Sequence, residues 1–456
     1  MNAVNRFQVP QELVDAILDC LWDEKNSLSA CSLVSKSWSP RARRLLFRTL
    51  QLLPASIPQK SHEEHSDFEV PDWARFISDF SAMPAVAGLV EILAIFGDAL
   101  PAEVEDLDYM GEILFGRASD GKIDPLGVNY VLLPLETLLG MVLPLSNLRH
   151  VLLRDLVLKP TSLLPLGPKI LHSVSLERAG MLDGGDILDI FHVFKPETNV
   201  FFDVFWRPTG DSQEPTLTRT QRGLTAAHWQ IKGYPNIHPI LRGLLDSPFV
   251  THVTSLDVTI QEPDELLALS ELLQAVGSRL KSLKLNLFDA FWESDLVISL
   301  SRMCFGCFAL AILQLTMFLS AHLREVWGNA ASLASCASLE QLDILFRVGT
   351  SGEPFEDIET LLSTLSPSIR KVTIIIHFVH FALDRVEALP WHIFGSALRN
   401  YRGLEKVLFT LSGDGASNEV YAQIFGSIAP RLAYTESIPE VEFVSRGPYW
   451  PWEVEE

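Results

Sequence analysis

The chain has 456 residues, 48% of them apolar, and a formal net charge of −21. That apolar content excludes overall disorder and demands a large internally paired core, and the acidic balance repels phosphate backbones and disfavours a nucleic-acid partner. Cys20, Cys31, Cys304, Cys307 and Cys336 are too sparse and too odd in number for a disulfide framework; with no Asn-x-Ser/Thr acceptor and no apolar leader at the N-terminus, they point to a reducing, intracellular setting, cytoplasmic or nuclear.

The first fifty residues read as three short helices. Pro10 suits a first helical turn, where its missing N–H costs nothing. Leu13, Ile17, Leu18 and Leu21 follow at helical spacing as one apolar stripe. Asn26 or Ser27 can cap a second helix carrying Leu28, Cys31, Leu33 and Val34. Ser39-Pro40 opens a third that runs through Ala42, Leu45, Leu46, Phe47 and Leu50. So small a module cannot bury all of these side chains by itself, and the surplus must dock on the rest of the chain or on a partner.

The run Val9-Pro10-x-Glu12-Leu13-x-x-x-Ile17-Leu18-x-x-Leu21, followed by Leu28-x-x-Cys31-x-Leu33-Val34-Ser35-Lys36-x-Trp38-x-x-x-Ala42-Arg43-x-x-Leu46-Phe47, resembles the F-box as fungal F-box proteins write it. Order, spacing and residue type agree across three elements; Val9 stands where leucine is commoner. The resemblance implies docking on the Skp-type adaptor of an SCF, or cullin-RING, ubiquitin ligase. It also implies that Pro10, Leu13, Ile17, Leu18, Leu28, Leu33, Val34 and Trp38 share the adaptor-binding and core positions. The spacing does not separate those two roles.

Residues 53–82 read as an acidic linker, with Glu63, Glu64, Asp67, Glu69 and Asp72, and a second acidic run follows at Glu103, Glu105, Asp106, Asp108 and Glu112. Both read as solvated loops. Lys36, Arg41, Arg43, Arg44 and Arg48 carry the opposite bias and read as a solvated or adaptor-facing surface.

Residues 83–445 repeat a signature of apolar positions spaced i, i+3 and i+5. It occurs at Leu148-x-x-Val151-x-Leu153, Leu171-x-x-Val174-x-Leu176, Val253-x-x-Leu256-x-Val258, Leu280-x-x-Leu283-x-Leu285 and Leu310-x-x-Leu313-x-Leu315. It returns at Leu339-x-x-Leu342-x-Ile344, Ile369-x-x-Val372-x-Ile374 and Leu404-x-x-Val407-x-Phe409, with steps from Val253 onward of 27, 30, 29, 30 and 35 residues. Weaker units start at Val90 and Ala226 and surround 200–206. The tail of each unit alternates like a short strand, and helical patterns lie between units at 264–279, 293–303, 319–334, 355–365, 387–401 and 418–428. Residues 207–223 are polar and read as a loop. Strand-then-helix at this period resembles the leucine-rich repeat, in a degenerate form that mostly lacks the consensus asparagine. The uncharged stretch 303–321 is long enough to span a bilayer. Its Leu310 unit falls in phase with the repeat and assigns it to a buried layer instead.

The expected architecture is α/β: an F-box-like helical module (1–52), an acidic linker (53–82), a leucine-rich-repeat-like solenoid (83–445) and a C-terminal tail (446–456). Tyr449-Trp450-Pro451-Trp452 in that tail fits a packed cap or an exposed peptide equally. Side chains between the buried positions point out from the sheet, so His150, Arg154, Glu177, Asp257, Lys284, Gln314, Asp343 and Lys371 are the candidate cargo-contacting face.

No chemistry-bearing motif survives scrutiny. The phosphate-loop spacing Gly116-x-x-x-x-Gly121-Lys122 is followed by Ile123 and lacks the magnesium-binding hydroxyl. Cys304-x-x-Cys307 has no second pair to complete a zinc site, so both thiols read as buried. His62-Glu63-Glu64-His65 has the wrong histidine spacing for a metalloprotease and reads as a solvated loop; His377 and His380 read as structural. No catalytic residue, metal ligand or cofactor is assigned. The sequence therefore points to a non-catalytic substrate receptor that binds a Skp-type adaptor and, through it, a cullin scaffold. Its solenoid would hold a protein target, with neither nucleic acid nor membrane as partner. A protein-interaction scaffold outside any ligase, and an enzyme whose acid/base pair leaves no motif, are the other readings.

Overall fold

In the computed structural model the described residues are 9–53, 73–97, 131–160, 168–181, 187–205, 226–234, 237–245, 250, 252–260, 263–286, 333, 335–348, 362, 365–378, 391–398, 401–413, 418–432 and 440–446. The chain divides into two compact units. The first holds Met1–Glu197 with 207–212, and the second holds Thr198–Trp206 with 213–456. That boundary falls inside the stretch expected to form one solenoid.

The first unit opens with three helices, α1 (Gln11–Asp19), α2 (Lys25–Val34) and α3 (Ser39–Leu46). The chain then enters strand β1 (Thr49–Leu52), where the sequence pattern had suggested more helix as far as Leu50. The alternation of Thr49, Leu50, Gln51 and Leu52 suits a strand, and a ladder partner is at hand. After β1 come α4 (Trp73–Ser81), α5 (Pro84–Ala87) and β2 (Ile92–Phe96). Helix α4 occupies the end of the segment expected as linker. Its Trp73 is buried, with the indole N–H donating to the Leu132 carbonyl at 3.2 Å.

Next are β3 (Val131–Pro134), α6 (Leu135–Val142), β4 (His150–Arg154), β5 (Leu156–Lys159), β6 (Lys169–Met181), a 3-10 turn (Ile187–Asp189), the single-turn α7 (Ile190–Val193) and β7 (Phe194–Phe205), which runs on into the second unit. Strands β1, β2, β4 and β6 pair in that order, all parallel. A smaller parallel sheet orders β3, β5 and β6. The long β6 serves both sheets, and the backbone is left-handed at Asp155, between β4 and β5, and at Arg178, within β6, with φ of 56° and 46°. The Arg178 guanidinium grips the buried Asp155 carboxylate, with Nε and Nη2 each 2.7 Å from an oxygen. Gly97 closes the third side, its amide donating to the Arg154 carbonyl at 2.7 Å; a Cβ there would sit 1.7 Å from the Asp155 carbonyl oxygen.

The second unit continues β7 into a long parallel sheet. It adds β8 (His228–Tyr234), α8 (His238–Leu245), β9 (Ser255–Thr259), α9 (Pro263–Val276), β10 (Ser282–Asn286), β11 (Gln341–Val348), β12 (Lys371–Phe378), α10 (Trp391–Leu398), β13 (Lys406–Gly413), α11 (Asn418–Leu432) and β14 (Glu440–Arg446). Strands β7 to β14 pair in sequence order, all parallel. The chain is thus a mixed α/β protein with a long parallel sheet.

The repeat signature marks the inward face of that sheet. Leu256, Leu283, Leu342, Val372, Val407 and Val441 stand opposite one another in one register row, and Val258, Leu285, Ile344, Ile374, Phe409 and Phe443 in the next. All but the two β14 residues are buried. Trp391 and Phe394 of α10 meet Phe409 ring to ring, each at 6.0 Å, and Phe425 of α11 meets Phe443 at 5.1 Å. Helices α8 and α9 are joined by an Arg242–Glu271 ion pair, and the fully buried Glu265 accepts the Ile237 amide at 2.6 Å. Strands β10 and β11 are direct neighbours, with Leu283 opposite Leu342. Residues 310–315 lie outside the described residues, as do 303–321, the 116–122 spacing, Cys304, Cys307, His62, His65, His380 and the tail 447–456.

The close approach at Gly97 makes a direct test. Gly97→Ala must push apart two backbones and is expected to cost about 3 kcal/mol or more. Gly395→Ala, inside α10 with open space around its Cβ position, is expected to stabilise by roughly 0.5–1 kcal/mol. Urea midpoints of the two full-length variants check both signs.

Candidate functional site

The three N-terminal helices have a core of their own. Val14, Leu18, Leu28 and Ala42 are buried, and Leu21, Cys31, Trp38, Leu45 and Leu46 lean on them. Val14 and Leu18 stand at i and i+4 and form the inward line of α1, with Leu21 following at i+7 just past its end. Leu13 and Ile17 sit one residue earlier, on a different line, and face water.

The ties between the helices are polar and local. Arg41 of α3 forks onto Asp19 at the end of α1, with Nε to Oδ1 at 2.8 Å and Nη2 to Oδ2 at 2.7 Å. Ser35 ends α2 in an extended conformation, and its hydroxyl accepts the amides of Ser37 and Trp38 at 3.1 and 3.3 Å. This seats Trp38 against the core.

The structure therefore sorts the candidate docking residues into two sets. Leu18 and Leu28 are both at 0% exposure, and Trp38 is half-buried against them. Leu13 at 57%, Ile17 at 52%, Leu33 at 82% and Val34 at 65% stand in solvent, with Pro10 and Val9 also exposed. Trp22, 65% exposed, joins the exposed apolar residues of this module although the sequence pattern does not single it out. Exposed large apolar side chains of this kind are candidates for contact with a partner when they form a contiguous patch.

The module is fastened to the sheet behind it. Arg44 Nη2 lies 2.7 Å from Glu91 Oε1, and Arg48 Nε lies 3.1 Å from Glu91 Oε2. The amides of Glu91 and Ile92 both donate to the Arg48 carbonyl, at 2.8 and 3.0 Å. Glu91 is 9% exposed, and the Arg44 hydrogen bond, outweighing burial, holds its carboxyl below the ordinary value of 4.5, helped by the charges of Arg44, Arg48 and Arg149. Nothing in the repeat pattern flags Glu91; its position just ahead of the Leu93-x-Ile95 alternation was the available signal.

The candidate cargo residues fall in two places. In the first unit, His150 and Arg154 project from β4, with Glu177 opposite Arg154 in the register. Arg154 lies between carboxylates, 3.6 Å from Asp155 and 3.9 Å from Glu177, and the His150 ring meets the Ser173 hydroxyl at 2.7 Å. In the second unit, Asp257, Lys284 and Asp343 share one register row, and Lys284 pairs with Asp257 at 3.1 Å. Gln341 donates to Asp343 at 2.8 Å. Lys371 belongs to the preceding row, between Gln341 and Lys406. Gln314 lies outside the described residues. The row that follows Asp257, made of Thr259, Asn286, Leu345, Ile375 and Thr410, is buried, with Asn286 donating to Thr259 at 3.0 Å. In this row the described side chains are closed to solvent, so the accessible candidates lie in the two rows before it.

No known family model matches the chain, and no curated protein matches it. A chain from a crystal structure of the Rad7 and Elc1 complex in yeast superposes with a TM-score of 0.29 and 10% identity, covering 90% of this chain and 91% of that one. At that TM-score the likeness carries no argument.

The Glu91 junction predicts a pH dependence. A carboxyl whose folded value is depressed stabilises the fold above its unfolded value and loses that contribution as pH falls through the folded one. Glu91→Gln is therefore expected to lower the urea midpoint at pH 7, by the equivalent of about 1–3 kcal/mol for a hydrogen bond to a charged group. The gap to the parent should narrow as the pH drops below 4.5. A gap constant with pH would contradict the assignment.

Proposed function

We propose that the chain is the substrate-recognition subunit of an SCF-type ubiquitin ligase, working inside the cell. On this reading the three-helix module is an F-box that docks on a Skp-type adaptor and so on a cullin scaffold. The strand-helix array is a leucine-rich-repeat-like solenoid whose open face holds a target protein. The chain performs no covalent chemistry. It raises the effective concentration of the target's lysines near a ubiquitin-charged enzyme, and the gain is one of proximity.

The observation that carries the reading is the split on α1 and α2. A module with its own closed core has no structural need for exposed Leu13, Ile17, Leu33 and Val34. Full burial of such a side chain contributes about 1.5–3 kcal/mol, so an adaptor covering these partly exposed residues would offset part of the cost of association. The same residues fall within the F-box resemblance, which supports the reading.

The test is co-purification of the full chain with a Skp-type adaptor. Leu13→Asp with Ile17→Asp is expected to abolish adaptor capture while the thermal unfolding midpoint stays near the parent's, because both side chains already face water. Leu18→Ala or Leu28→Ala, in the core, is expected to cost about 2–5 kcal/mol of module stability. Capture that survives the double substitution in α1 would overturn the ligase reading.

A further inference from the structure

At the N-terminal rim of the first unit's sheet, four neighbouring strands enter through Arg48, Glu91, Arg149 and His172. The backbone ladder makes them adjacent. The amides of Arg149 and His150 donate to the Glu91 carbonyl at 2.8 and 3.0 Å, and those of His172 and Ser173 donate to the Arg149 carbonyl at 2.7 and 3.1 Å. Paired strands stand about 4.8 Å apart, so Arg149 is one strand from Glu91 on one side and from His172 on the other.

The charges here do not balance. Arg44 and Arg48 share the single carboxylate of Glu91. Arg149 is exposed, and its guanidinium forms no ion pair among the described residues. The rings of His150 and His172 meet edge to face at 5.2 Å beside it. Among the described residues, three guanidiniums stand against one carboxylate here, a local cationic excess in a chain of net charge −21. The electrostatics of His150 agree. Burial first, then the charges of His172, Arg48 and Arg149, hold it below its ordinary value of 6.5, against a smaller opposing pull from Glu91.

We propose that this rim binds an acidic segment of a partner polypeptide, with the Arg149 guanidinium taking a carboxylate in a forked pair and His150 and His172 bordering it. Charge complementarity selects the occupant. With a net charge of −21, the chain as a whole attracts a basic segment without selecting this rim, whereas an acidic one is repelled by the chain as a whole and attracted only locally, within about one Debye length of the rim. A nucleic acid, with phosphates along its whole length, would meet that repulsion throughout.

The inference deepens the receptor reading by naming the chemistry of a target, and it is measured without the adaptor. The experiment is fluorescence anisotropy of the full chain with a labelled Glu/Ser-rich peptide, a Lys/Ser-rich control and a phosphoserine version. The expected result is saturable binding of the Glu/Ser peptide that weakens with added salt, and none of the lysine control. Arg149→Glu with His172→Glu is expected to weaken it tenfold or more, because like charges set against each other cost several kcal/mol. Arg149→Lys should retain most of the affinity, and circular dichroism should show all variants folded. Absence of binding, equal affinity in the charge-reversed variant, or preference for the lysine peptide would overturn the proposal. Binding of the phosphoserine version alone would overturn the carboxylate assignment. Adaptor capture by the Arg149 variant, and peptide binding by the α1 variant, report on the two readings separately.

Discussion

Helix α1 carries two apolar lines one residue apart, and the functional account depends on their not being the same line. Val14 and Leu18 close a core with Leu28 and Ala42, while Leu13 and Ile17 are left in water. The two lines are offset by about 100° around the axis of this nine-residue helix, and the module's core covers Val14 and Leu18 only. The line through Leu13 and Ile17 is therefore apolar surface that the module's own core leaves in water.

The module does not hang free from the rest of its unit. Arg44 and Arg48 converge on Glu91, and β1 continues straight from α3 into the ladder beside β2. Two arginines on one nearly buried carboxylate stabilise the junction more than an exposed pair would, since solvent screening is reduced there. The orientation of the exposed α1 and α2 residues is then fixed relative to β2 and β4.

Much of this was legible in the residues. The i, i+3, i+5 pattern located β2, β4, β6, β8, β9, β10, β11, β12 and β13, because alternating apolar positions next to a buried helix leave few other solutions. Strands β3 and β5 escaped it, since their short apolar runs do not repeat at the period, and β14 escaped although Val441 and Phe443 alternate with acid. Leu280 and Leu339 are 59 residues apart, close to two repeat steps, yet β10 and β11 are direct neighbours in the ladder. Periodicity tells which side chains can be buried and leaves open which strand they pair with. The docking residues were found as a group, but a single stripe drawn through Leu13, Ile17, Leu18 and Leu21 merged the two lines of α1. Their separation needed Val14, whose partners Leu28 and Ala42 lie on other helices. Glu91 was invisible for the same reason, since its arginines come from 43 and 47 residues earlier.

The most direct test of the account is amide hydrogen exchange of the full chain with and without a Skp-type adaptor. Added protection confined to 9–38, with the β9 to β13 ladder unchanged, is the predicted result. Unchanged exchange over α1 and α2 in the presence of adaptor, or protection arising in the second unit instead, would contradict it.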